Sequence, residues 1–152
     1  MSKELNIISE IEIVFKKKIK SNQLPKVTSS AEAHSILRNV WSDKIELLEE
    51  FILLLFNNSN KCLGWVTISQ GGYTGTVVEN RLILATALKA AATGIMISHN
   101  HPSVNIKPSQ QDITCTRKLK QCCELFDIAL IDHIILSGDT EDYYSFADDG
   151  NI

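Results

Sequence analysis

A chain of 152 residues, 44% hydrophobic and 22% charged, has the size and balance of one globular domain over 1–152, with residues 1–10 expected as a loosely ordered extension. Fifteen Lys+Arg against eighteen Asp+Glu leave a net charge of −3, which argues against binding that depends on many phosphate contacts. No run approaches the ~18 apolar residues of a membrane span, the N-terminus lacks the apolar core of a signal peptide, and the four cysteines form no CxxC pair, so a cytoplasmic protein with reduced thiols is expected.

Residues 11–19 alternate Ile11, Ile13 and Phe15 with polar neighbours, the pattern of a half-buried strand. After a connector around Pro25, Ser29-x-x-Glu32 reads as a capping box opening a helix that carries Ile36, Leu37, Val40 and Trp41 at helical spacing. Phe51–Phe56 is an unbroken apolar run bounded by a turn sequence, predicting a strand covered on both faces with Cys62–Ser69 as its hairpin partner. Gly71, Gly72 and Gly75 flank a short strand at Thr76–Val78, and the Ala- and Leu-rich segment Arg81–Ala92 is a second helix leading into a buried strand at Ile95–Ile97. From Ser109 a third helix is expected, with Cys115, Leu119, Cys122 and Phe126 as its core stripe. Ile128–Leu136 reads as the next strand and Tyr143–Phe146 as a final edge strand. Helices interspersed with hairpin-joined strands indicate an α/β (α+β) sandwich with a mixed central sheet.

The chemistry concentrates between Ile95 and Asp112. There the buried strand is expected to end at Ser98, ahead of His99-Asn100-His101-Pro102 and a helix opening at Pro108-Ser109-Gln110-Gln111-Asp112. At i and i+2 on extended backbone, His99 and His101 project to one side and can meet one ion, with Asp112 as an oxygen ligand. A fourth position left to water would make this a catalytic type of zinc site. Ser109-x-x-Asp112 is equally an N-cap pattern, and the two roles can coexist. His34 on the first helix reads as a surface or satisfied core residue, and the cysteines as inert core thiols.

The spacing His99-x-His101-(seven residues)-Ser109-x-x-Asp112 resembles the JAMM motif of the JAB/MPN metalloprotease superfamily. HNHPS, IDHIIL, GTVVENR and YYSFADDG are similar to the RadC branch in particular, over roughly residues 10–150. The resemblance implies a mixed sheet flanked by helices in a cytidine-deaminase-like sandwich, and a zinc-dependent hydrolase acting on an unidentified peptide or isopeptide substrate. It makes His99, His101 and Asp112 the metal ligands and Ser109 the donor to the oxyanion. It also makes the glutamate ahead of the core strand the group that takes a proton from the attacking water and delivers it to the leaving amine. That glutamate falls on Glu49, with Glu50 as the one-residue-slip alternative.

Family members often carry an N-terminal helix-hairpin-helix region, and this chain starts too close to the JAB-like part for one to be expected. Val104 stands where RadC-like sequences have glycine, and Asp132-His133 fits the RadC pattern but has no place in the JAMM motif; His133 reads as structural or as a support behind the ligands. The competing reading is a non-catalytic DNA-repair or interaction module. Retention of every ligand favours the hydrolase, while the acidic charge and the single short basic run at 16–20 disfavour direct nucleic-acid binding.

Overall fold

The computed structural model describes residues 9, 11, 12, 14, 16, 18–71 and 78–152. A strand apolar on both faces has a place only inside a sheet with layers above and below, and β1 (Glu50–Phe56), buried at every position, lies there. β1 pairs antiparallel with β2 (Cys62–Gln70) on one side and with β3 (Gly94–His101) on the other. β3 runs parallel to β4 (Ala129–Ser137), and β5 (Tyr143–Ser145) pairs antiparallel with β4, giving the order β2-β1-β3-β4-β5. The result is an α/β fold with a mixed five-stranded sheet among the described residues.

Strand alternation sorts the core into two layers. Phe51, Leu53, Leu55, Ile95 and Ile97 pack against Ile83 and Ala87 of α2 (Asn80–Lys89) and against Leu119 and Cys123 of α3 (Gln110–Glu124). Ile52, Leu54, Phe56, Met96, Ile134 and Leu136 pack on the other face against Ala33 and Leu37 of α1 (Ser30–Val40). Each such Leu, Ile or Phe contributes about 1.5–3 kcal/mol by leaving water, so a one-residue slip of β1 would exchange its two layers at large cost.

Ser29 caps α1, its hydroxyl oxygen accepting from the Glu32 N–H at 3.2 Å, but the Glu32 carboxylate returns to the Thr28 N–H at 2.6 Å, one residue earlier than a reciprocal box would place it. α2 and α3 both end with a left-handed residue, Ala91 (φ 52°) and Asp127 (φ 54°). The following N–H groups, of Ala92 and Ile128, return to the carbonyls of Ala87 and Cys123, the 6→1 closure of a Schellman turn.

Three expectations change. The described residues of 11–19 form no strand and are exposed, Ile11 at 87%, while Ile13 and Phe15 of the expected alternation lie outside the described residues. The buried side chains of α3 are Thr116, Leu119 and Cys123, whereas Cys115 and Cys122 are half-buried and Phe126 is exposed, so Leu119 keeps its expected place while its neighbours in the core stripe fall one residue later. β3 continues through His101 instead of ending at Ser98, because β4 keeps pairing with it as far as Ser137. The strand expected at Thr76–Val78 lies, up to residue 77, outside the described residues. Among the described residues, no helix is long and apolar enough to cross a membrane.

Candidate metal centre

Extended backbone through His101 puts the side chains of His99 and His101 on the face of Ile95 and Ile97, the face covered by α3. The third donor comes from the first turn of that helix. Ser109 is its N-cap, its hydroxyl oxygen accepting from the Asp112 N–H at 3.1 Å while the Ser109 N–H donates to Asp112 Oδ2 at 2.8 Å. This capping box aims the Asp112 carboxylate at the histidines: Oδ1 lies 3.3 Å from His99 Nε2, and Oδ2 lies 3.5 Å from His101 Nε2. The two Nε2 atoms are 3.0 Å apart, and the donor atoms of all three residues fall within 4.8 Å of one another. His99 is 3% exposed, His101 and Asp112 20% and 16%, so the cluster is closed on the His99 side and open towards His101.

A chain of hydrogen bonds sets the tautomers. The Thr116 hydroxyl donates to the Asp112 carbonyl at 2.7 Å, so at 2.6 Å it accepts the Nδ1–H of His133. His133 Nε2 is then a lone pair and, at 2.8 Å, accepts the Nδ1–H of His99. His101 donates its own Nδ1–H to the Asn105 carbonyl at 2.8 Å. Both Nε2 atoms therefore turn lone pairs towards each other and towards a carboxylate, an arrangement of acceptors that calls for a donor or a cation among them. A proton shared with Asp112 serves, and the His101 pKa is raised, first by the Asp112 hydrogen bond. Two imidazoles and a carboxylate of this orientation are equally the donor set of a divalent metal site, so the residues fit such an ion. Burial opposes charge on Asp112, but hydrogen bonds from His101 and His99 outweigh it and hold the carboxyl well below the usual range. Burial, followed by the neighbouring His99, holds His133 far below an ordinary histidine, consistent with the neutral ring the chain of bonds needs.

His133 is itself seated by the C-terminal segment. Phe146 stacks on its ring at 4.6 Å, and Asp132 accepts the Ala147 N–H at 2.9 Å and the Ser145 hydroxyl at 2.6 Å. The Asp132-His133 pair and the YYSFADDG segment thus form one support behind His99.

Glu49 extends the β1–β2 ladder by accepting the Gly71 N–H at 2.8 Å, which gives its side chain the face of Phe51 and hence of the histidines; its charge helps raise the His101 pKa. Glu50 is buried on the opposite face, where the Ser42 hydroxyl and the Gln70 amide donate to its Oε1 at 2.8 and 2.9 Å. His34 also belongs to the opposite face, stacked on Tyr143 at 4.4 Å and accepting from Arg38 Nε at 3.0 Å. The four cysteines carry free thiols outside the cluster; burial pushes Cys123 up to about 11. Val104 is 60% exposed in the loop after His101, next to the Asn105 carbonyl that accepts from His101.

Thr116 and Asn100 are the polar residues that reading the chain passed over. Thr116 offers one signal, its i+4 spacing from Asp112 on α3, and Asn100 offers its place between the two histidines, pointing to the other face.

Residues 27–151 match the family model described as RadC-like JAB domain. The chain is 37% identical over 150 residues to a UPF0758 protein of Flavobacterium johnsoniae and 33% identical over 150 residues to one of Porphyromonas gingivalis, in each case over 98% of this chain. It is 35% identical over 129 residues, 85% of this chain, to a UPF0758 protein of Staphylococcus haemolyticus. It spans 64%, 65% and 55% of the lengths of these three relatives. With the family model covering most of its length and the cluster in place, the chain belongs to the RadC-like JAB domain family.

Proposed function

We propose that this chain is a zinc-dependent hydrolase of the JAMM type, cleaving a peptide or isopeptide bond with water. The observation that carries the reading is the convergence of three acceptors, His99 Nε2, His101 Nε2 and an Asp112 oxygen, on one point that is walled on one side and open on the other. Three protein ligands with an open position is the arrangement of catalytic, not structural, zinc. When bound, the ion would supply Lewis acidity, easing deprotonation of water and polarising a carbonyl.

The residues around that point divide the remaining work. Glu49, on the face of the histidines, takes the proton that water gives up as its oxygen bonds to the carbonyl carbon, and returns it to the nitrogen as the C–N bond breaks. Glu50 is unsuited to this task because its carboxylate is engaged on the opposite face by Ser42 and Gln70. Ser109 uses an oxygen lone pair for the cap, which leaves its proton for a developing oxyanion.

The test combines metal analysis of protein purified without chelator with cleavage profiling on peptide and isopeptide libraries. About one zinc per chain, lost in His99→Ala and His101→Ala, and hydrolysis lost in Glu49→Gln with metal retained, are the expected results. Zinc without hydrolysis of any amide would point instead to a non-catalytic module, and hydrolysis silenced by Glu50→Gln but not by Glu49→Gln would shift the base by one residue.

A further inference from the structure

Asn100 lies between the two histidines, and strand alternation turns it to the face away from them, where it is fully buried. Its side chain uses every donor and one acceptor on a single segment: Oδ1 accepts the Glu50 N–H at 2.7 Å, and Nδ2 donates to the carbonyls of Ile45 at 2.7 Å and Leu48 at 2.8 Å. Leu48 and Glu50 are the two neighbours of Glu49, so one amide grips the backbone on both sides of that residue. Residues 42–49 have no helix or strand of their own, and the N–H groups of Leu47 and Leu48 only close back on Lys44. The Ile45 carbonyl is further wedged against Gly138, where a Cβ would come within 2.7 Å of it and within 2.8 Å of the Pro102 Cα.

We propose that Asn100 is a positioning residue for Glu49: it locks the loop ahead of β1 to the strand that carries the histidines, so that the carboxylate is delivered at a set distance from the metal centre. This rests on the metal-hydrolase reading above. One short strand segment then organises both halves of the centre, His99 and His101 the ligands on one face, Asn100 the base from the other. An amide is the side chain suited to the task, since the segment presents an N–H and two carbonyls to the same point. Asp in its place would set an oxygen against two carbonyls, and Leu would leave all three groups unsatisfied.

The test uses the 152-residue chain loaded with Co²⁺, with the Glu49 side chain observed by NMR through carbon-13 glutamate, so that its paramagnetic shift reports its position relative to the ion. In Asn100→Ala, Co²⁺ affinity and absorption spectrum should match the parent, because both ligands face the other way, while the Glu49 shift shrinks and broadens as the loop is released. On any amide the parent cleaves, kcat should fall on the order of 10²-fold with KM unchanged, the effect expected of a misplaced catalytic group. Asn100→Ser, which keeps one hydroxyl for the loop, serves where the alanine variant does not fold. An unchanged Glu49 shift in a folded variant overturns the proposal alone, and loss of Co²⁺ binding in the variant makes Asn100 a support of the ligands instead. A parent that binds no Co²⁺ overturns the metal reading, and this proposal with it.

Discussion

A histidine can coordinate a metal only through a bare nitrogen, and for His99 the identity of the bare nitrogen is decided two hydrogen bonds away, at the Thr116 hydroxyl. Thr116→Val keeps the shape of the side chain and removes the acceptor for the His133 Nδ1–H, so His133 loses its reason to offer Nε2 to His99. Metal affinity should fall ~10–100-fold with the ligands untouched, as measured by competition with a chromogenic chelator. Parent-like affinity would show that His99 holds its tautomer without the relay. Ser109 invites a second substitution, because capping and oxyanion donation draw on different parts of one hydroxyl. Ser109→Asp should retain a sound cap and a melting temperature within a few degrees of the parent, while turnover falls on the order of 10²–10³-fold, since a carboxylate accepts but does not donate. Full activity in that variant would confine Ser109 to capping. His99, His101 and Asp112 were legible in the chain because their spacing is local and extended backbone plus a helix cap dictate where they point. Thr116 and Asn100 were not, because their partners, His133 and the loop at 45–50, lie 17 and about 50 residues away and only the assembled sheet brings them together.

Elements were read well where a pattern was long and local, and less well where their limits depend on neighbours. β1 follows from its apolar run, and β2 from the turn between them. β3 outlasts its expected end at Ser98 by three residues because β4 pairs with it along His99 to His101 and β1 as far as His99, which also gives the two histidines a rigid mount. On α3 Leu119 is buried as its spacing suggests, but the stripe around it is displaced by one position because Thr116, polar by type, is the residue that faces the sheet. Helix ends were obscure for a chemical reason: the left-handed positions that close α2 and α3 are held by Ala91 and Asp127, where glycine would have announced them. Ala91 is exposed and its methyl is disfavoured at φ 52°. Ala91→Gly should therefore stabilise the fold by up to ~1 kcal/mol, the relief of left-handed strain exceeding the added freedom of the unfolded chain, as read from the urea midpoint at unchanged slope. A lower midpoint would show that the entropy of the unfolded chain outweighs the strain.

For the molecule as a whole, folding and protonation are linked through the cluster, and the proposed metal would join them, because the same three residues connect the sheet to α3. The His101 pKa is raised in the folded chain, first by the Asp112 hydrogen bond and further by the Asn105 carbonyl, against the opposing effect of burial. A group whose folded pKa is raised contributes stability that is fully present below its ordinary value, near 6.5, and is lost as pH rises through the folded value. The metal-free protein should accordingly lose this increment as pH rises from below 6.5 through the raised folded value. The metal-loaded protein behaves oppositely, because an ion at His101 Nε2 must displace that proton and binds more tightly as the proton becomes easier to remove. Binding that is confined to the folded state adds directly to its stability, so the gap in melting temperature between zinc-loaded and chelator-treated protein should widen steadily over this range. His101→Gln, which cannot take up the proton, should flatten the pH dependence of the metal-free protein and close the gap at every pH. Calorimetric melts at matched ionic strength measure both quantities, and a gap that stays constant with pH would dissociate the His101 proton from the metal centre.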